Sequence, residues 1–212
     1  MRRAAACAAL AAAALAGCSS APTGPQPAPL PALGDAKPVR VLWRAQVGES
    51  GPFFFAPAVV GDAVYAAARD GTVVRLDAAS GKQRWGADVE GRLSAGVGAS
   101  ASSVAVANEE GVVTVLEAES GKLRWRARVS SEVLAAPVVA AGVVLVRSID
   151  NRIFAFEEAD GKRRWVYQRA PQSLIVRTPA GAAVDAETAY AGFRGGKLAA
   201  IALSNGGLRW ET

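Results

Sequence analysis

The chain has 212 residues, with 24 lysines and arginines against 19 acidic side chains, no histidine, two cysteines and a formal charge of +5. Arg2 and Arg3 belong to a leader, so the body of the chain is too balanced to make nucleic acid its default partner. Without histidine there is no Ser-His-Asp triad, no H-E-x-x-H metal site and no His-ligated haem. Both cysteines, Cys7 and Cys18, lie near the start, so no disulfide or CxxC pair can form beyond them.

Residues 1–17 read as a targeting segment. Met1-Arg2-Arg3 is a basic start, and the apolar run at 4–16 has the length of a secretory h-region, too short to span a bilayer as a helix. Leu15-Ala16-Gly17-Cys18 has the form of a bacterial lipobox, which predicts cleavage before Cys18 and lipidation of its sulfur. Acyl chains anchor firmly, because each buried CH₂ adds about 0.8 kcal/mol. In lipoproteins that this segment resembles, a residue other than Asp after the cysteine favours transfer to the outer membrane, and here it is Ser19. Residues 18–38 follow as a tether. The stretch 19–38 holds six of the eleven prolines and no periodic apolar pattern, so it is expected to stay extended and solvated.

From 39 to 212 the chain repeats. Its five tryptophans, Trp43, Trp85, Trp125, Trp165 and Trp210, are spaced by 42, 40, 40 and 45 residues. A period near forty points to a solenoid or a propeller. Strand-length apolar stretches are predicted at Thr72–Asp77, Val112–Glu117, Arg152–Glu157 and Lys197–Ala202. Asp70-Gly71, Glu110-Gly111, Asp150-Asn151 and Gly195-Gly196 precede them and suit two-residue hairpin turns. A second set of turns, around Gly81, Gly121, Gly161 and Gly206, leads into each tryptophan strand. Upstream, 58–60 with 63–67, and 137–140 with 143–147, supply two more strands per unit. Four antiparallel strands per forty residues define an all-β fold of propeller blades. The tryptophans, like Gly81, Gly121 and Gly161, recur at fixed repeat positions, which assigns them to packing between blades rather than to a ligand site.

Strand counting predicts a tryptophan strand around 41–47 with no blade-mates before it. About four blades are present, which implies a portion of a longer ring or closure with another chain, because open sheet edges are avoided; the alternative is a compact four-bladed ring with the first tryptophan strand lying loose. Asp70, Asp150 and Asp160 serve turns. Lys122, Arg124, Arg126 and Arg128 alternate on one solvated strand face. Phe53-Phe54-Phe55 can cover a blade edge or touch a partner.

A lipobox, a proline-rich tether and repeats ending in Ser/Asp-Gly-Lys-x-Arg-Trp resemble the pyrroloquinoline-quinone-like propeller repeats and, within them, the BamB family of the outer-membrane β-barrel assembly machinery. That resemblance implies an eight-bladed ring, a lipid-anchored outer-membrane location facing the periplasm, and a non-catalytic scaffold role without cofactor or metal. It implies BamA and the other subunits of that complex as partners, with unfolded outer-membrane proteins as clients. Gln172-Ser173-Leu174-Ile175-Val176-Arg177 is similar to the family's inter-blade BamA-docking loop, which gives Leu174, Val176 and Arg177 the contact roles, with Val176 in place of a leucine. By pattern alone, Leu174 and Val176 also fit an alternating strand with one face in the core. The alternatives are a periplasmic quinoprotein-like dehydrogenase and a ligand-binding propeller. Quinoprotein dehydrogenases carry adjacent cysteines and a catalytic aspartate with calcium ligands, and beyond Cys18 this chain has no cysteine.

Overall fold

The computed structural model describes residues 28–31, 34, 38–169, 177 and 179–212. Residues 41–212 form a compact unit distinct from 1–40. Its strands are β1 (Ala58–Val60), β2 (Ala63–Ala67), β3 (Thr72–Asp77), β4 (Gln83–Asp88), β5 (Gly98–Ala99), β6 (Ser103–Ala107), β7 (Val112–Glu117) and β8 (Leu123–Arg128). The pattern continues with β9 (Val138–Ala140), β10 (Val143–Arg147), β11 (Arg152–Glu157), β12 (Arg163–Gln168), β13 (Ala182–Val184), β14 (Thr188–Phe193), β15 (Lys197–Ala202) and β16 (Leu208–Glu211). They pair in sequence order into four antiparallel sheets of four strands, one sheet per repeat. These are propeller blades, and the innermost strands contact in order: β1 with β5, β5 with β9, β9 with β13.

The core is divided among the spaces between blades. Tyr65, Leu93, Val104 and Leu116 lie in the cluster joining blades 1 and 2. Val115, Trp125, Val144 and Phe154 belong to the cluster joining blades 2 and 3, and Leu145, Ile153, Ala189 and Ile201 to that joining blades 3 and 4. A sheet of β-branched and apolar residues cannot hide both faces alone, so each blade stabilises the next. Close approach demands small residues at the inner strands: a Cβ at Gly98 would stand 1.9 Å from the Pro137 carbonyl oxygen.

Between blades the tryptophans make one contact, repeated. The indole N–H groups of Trp43, Trp85 and Trp125 donate to the carbonyls of Ala78, Ala118 and Glu158, each at 2.9 Å, and that of Trp165 to Leu203 at 2.8 Å. The glycine three residues after each acceptor lies against the ring. An added Cβ at Gly81, Gly121, Gly161 or Gly206 would fall 2.5–2.8 Å from indole carbons. All four glycines also have φ between +70° and +75°, so both backbone and ring exclude a side chain there. Trp210, on β16, is 46% exposed and packs on Tyr190 at 6.0 Å.

Three features differ from the sequence expectation. Residues 41–47 run without a strand partner among the described residues, although Trp43 makes the full interblade contact; one anchored side chain does not require a paired backbone. The turns before β3 and β7 are three-residue loops rather than two-residue hairpins. Ala68 N–H donates to Thr72 at 2.9 Å and Asn108 N–H to Val112 at 3.1 Å, so Gly71 (φ +103°) and Gly111 (φ +76°) occupy the last loop position. Finally, the last two strands of every blade are offset by a bulge. Arg75 pairs with Trp85 and Leu76 with Gln83, leaving Arg84 as the extra residue. Arg124, Arg164 and Arg209 occupy the same place. The recurring Arg-Trp pair is therefore a bulge that sends the arginine out of the ladder. Arg84 reaches Asp77 at 2.5 Å and Arg164 binds both Glu157 oxygens at 2.6 and 2.7 Å.

Candidate docking face

Interblade loops and the β2–β3-type turns gather on one face of the propeller, tied together by backbone bonds. Arg69 N–H donates to Glu49 at 2.9 Å, Leu93 to Arg69 at 2.9 Å, Glu109 to Arg92 at 3.2 Å and Ile149 to Glu132 at 3.0 Å. The buried Ser94 hydroxyl donates to the Val133 carbonyl at 2.6 Å, which joins successive loops. Arg69 and Glu109 pair at 2.8 Å across blades 1 and 2. The face is thus a set of loops on a rigid support, the usual arrangement for binding.

The three adjacent phenylalanines have separate tasks on it. Phe55 packs against the core between blades 1 and 2. Phe53 lies under the Arg69 guanidinium, 4.8 Å from ring centre to Cζ. Phe54 is 72% exposed. With Pro52, Phe53, Leu134, Arg177 and Pro179 it lines a cavity of about 360 Å³. Run length alone could not separate these roles, because residue type is the same and only orientation differs. A broader concavity of about 760 Å³ adjoins it at Pro52 and includes Glu49, Arg69, Asp70 and Arg92.

Arg177 is exposed on this face, where its Nη2 donates to Glu132 Oε1 at 2.5 Å. Leu174, Val176 and the lipobox cysteine Cys18 lie outside the described residues. Asp70 accepts the Thr72 N–H at 3.0 Å and Asp160 the Lys162 N–H at 2.9 Å, both inside turns. That backbone donor holds the Asp70 carboxyl below its ordinary range. Asp150 accepts from Ser148, from Ser130 at 2.6 Å and from Arg152 at 2.9 Å. On β8, Arg126 pairs with Glu90 at 2.9 Å, and half-buried Arg124 donates to the Ser102 carbonyl at 3.1 Å. Among the described residues no group of three or more His, Cys, Asp or Glu side chains is placed to hold a metal ion.

Four-stranded antiparallel blades joined by a tryptophan-on-glycine contact define a β-propeller of the pyrroloquinoline-quinone-like repeat class. The model of the family described as outer membrane protein assembly factor BamB matches residues 33–87 and 69–212, and the chain belongs to that family. It is 36% identical over 180 residues to the outer membrane protein assembly factor BamB of Nitrosomonas eutropha, covering 85% of this chain and 44% of that protein. The crystal structure of BamB from Moraxella catarrhalis superposes with a TM-score of 0.68 at 26% identity, covering 74% of this chain and 48% of that one. A europium-containing methanol dehydrogenase shares the fold alone, with a TM-score of 0.60 at 17% identity over 79% of this chain and 42% of that one. The chain spans less than half the length of the curated relatives it matches.

Proposed function

We propose that this chain acts as a non-catalytic scaffold in outer-membrane protein assembly, tethered through a lipidated Cys18 and facing the periplasm. It docks on BamA through the interblade-loop face and supports the assembly machinery that inserts unfolded outer-membrane proteins. The observation that carries this reading is the face itself, where exposed Phe54 and Arg177 border one cavity of about 360 Å³ over an apolar floor. An exposed aromatic beside an arginine, on loops held by a rigid framework, is the composition that protein interfaces favour. Family membership supports the assembly role, since the relatives are named as assembly factors. A quinoprotein-type reaction lacks support in the residues, which include no histidine and no cysteine beyond Cys18.

The test is photo-crosslinking in intact cells from position 54, with position 126 on β8 as control. An adduct from 54 alone, identified as BamA by mass spectrometry and weakened by Arg177→Glu, is the expected result. A folded, protease-resistant protein that gives no adduct from 54 would remove the scaffold reading.

A further inference from the structure

The repeats provide an internal standard for what each position needs structurally, and blade 3 departs from it twice near one point. Arg147 ends β10 opposite Ile153, where the equivalent residues are Ala67 opposite Val73, Ala107 opposite Val113 and Gly192 opposite Leu198. Arg169 lies four residues after Trp165, where the first two blades have the buried core residues Val89 and Val129. Both guanidiniums stack on Phe193, with Cζ 4.8 and 5.1 Å from the ring centre. Phe193 is itself a departure, since Ala68, Asn108 and Ser148 hold its place in the other blades.

The charges in this stack do not balance. Arg169 pairs with Glu211 at 2.9 Å, while its Nη1 is buried without an acceptor among the described residues. Arg147 donates to the Gly192 carbonyl at 2.7 Å. Burial pushes the Arg147 pKa down, and among the described residues no carboxylate acts against that burial. Among the described residues, the two guanidiniums on Phe193 and the one carboxylate leave one excess positive charge beside the ring, on the loop face. A structural repeat does not need such an arrangement, because blades 1 and 2 close the same seam with alanine and valine.

We propose that Arg147 and Arg169, stacked on Phe193, form an anion site that receives one carboxylate side chain of a protein docked on the interblade-loop face. This rests on the scaffold reading above and adds the chemistry of the partner: an acidic residue reaching the seam between blades 3 and 4. One carboxylate matches the single excess charge, and a guanidinium fork favours its planar pair of oxygens.

The repeat also supplies substitutions that the fold accepts. Arg147→Ala and Arg169→Val install the residues that blades 1 and 2 carry. In the full-length chain bearing the crosslinker at position 54, each is expected to lower the adduct yield roughly tenfold, with the thermal midpoint held within a few degrees; Arg147→Lys keeps part of the yield. Unchanged yield in both variants would overturn the anion site while leaving the scaffold reading in place. A yield that falls only in step with the thermal midpoint would assign the stack to packing and overturn it too. If the unsubstituted chain gives no adduct at 54, both readings fall together.

Discussion

At the scale of single residues, the interblade contact depends on glycine for two separable reasons. Gly142 and Gly161 both have φ of +74°, yet a Cβ at Gly142 meets nothing within 4 Å, whereas at Gly161 it would stand 2.5 Å from the Trp125 ring. Gly142→Ala should therefore cost only the left-handed backbone penalty, about 1 kcal/mol. Gly161→Ala adds an overlap with a buried indole and should cost about 3 kcal/mol. Denaturant midpoints of the two variants measure the difference directly. Equal losses would mean that the ring moves aside freely and that the contact does not hold the blades. The sequence makes both glycines visible, but their inequality is hidden, because it depends on which side chain approaches from the neighbouring blade.

At the scale of elements, the strand limits are largely readable. The starts and ends of β3, β7, β11 and β15 follow from the turn residues that bracket them, since a left-handed turn position cannot be continued into a ladder. The bulges are not readable in this way. Arg84 and its equivalents look like ordinary strand residues, and only the pairing of Trp85 with Arg75 exposes the extra residue. Seams between elements also carry pH dependence. Glu158 joins blade 3 to blade 2 by accepting the hydroxyls of Ser100 at 2.5 Å and Ser102 at 2.6 Å. Burial alone would raise its pKa, but these two hydroxyls and the Arg124 charge bring it below the ordinary 4.5. A depressed carboxyl contributes stability that is present above 4.5 and is lost as the pH falls through the lower folded value. Glu158→Gln should flatten the fall of thermal midpoint on acidification below about pH 4.5. An unaltered profile would place the acid sensitivity elsewhere.

At the scale of the whole molecule, the proposed function assigns location and docking to separate segments. Cys18→Ala should move the protein from the membrane fraction to the soluble periplasmic fraction while leaving the propeller's far-UV spectrum unchanged. Retention in the membrane fraction would sink the lipobox assignment. The proposed docking face is less legible in the sequence than the proposed anchor. Arg177 stands out in sequence through its likeness to a family loop, while Phe54 is one of three identical neighbours until burial separates them. Arg147 and Arg169 are exceptions to the repeat that a strict alignment of the blades exposes. Their meeting at Phe193 depends on two blades being packed side by side.

The sequence by itself determined the repeat, the number of strands per unit, the positions of most turns and the family. Those properties depend on local backbone preference and on a pattern copied four times. Tertiary structure alone decided which tryptophan meets which glycine, where the ladders slip by one residue, and which side chains share the docking face. The tryptophan–glycine contacts and the shared face join residues thirty or more positions apart and exist only once neighbouring blades are in contact. The slipped ladders join closer residues, Arg75 with Trp85 and Leu76 with Gln83, and are decided by pairing within one blade.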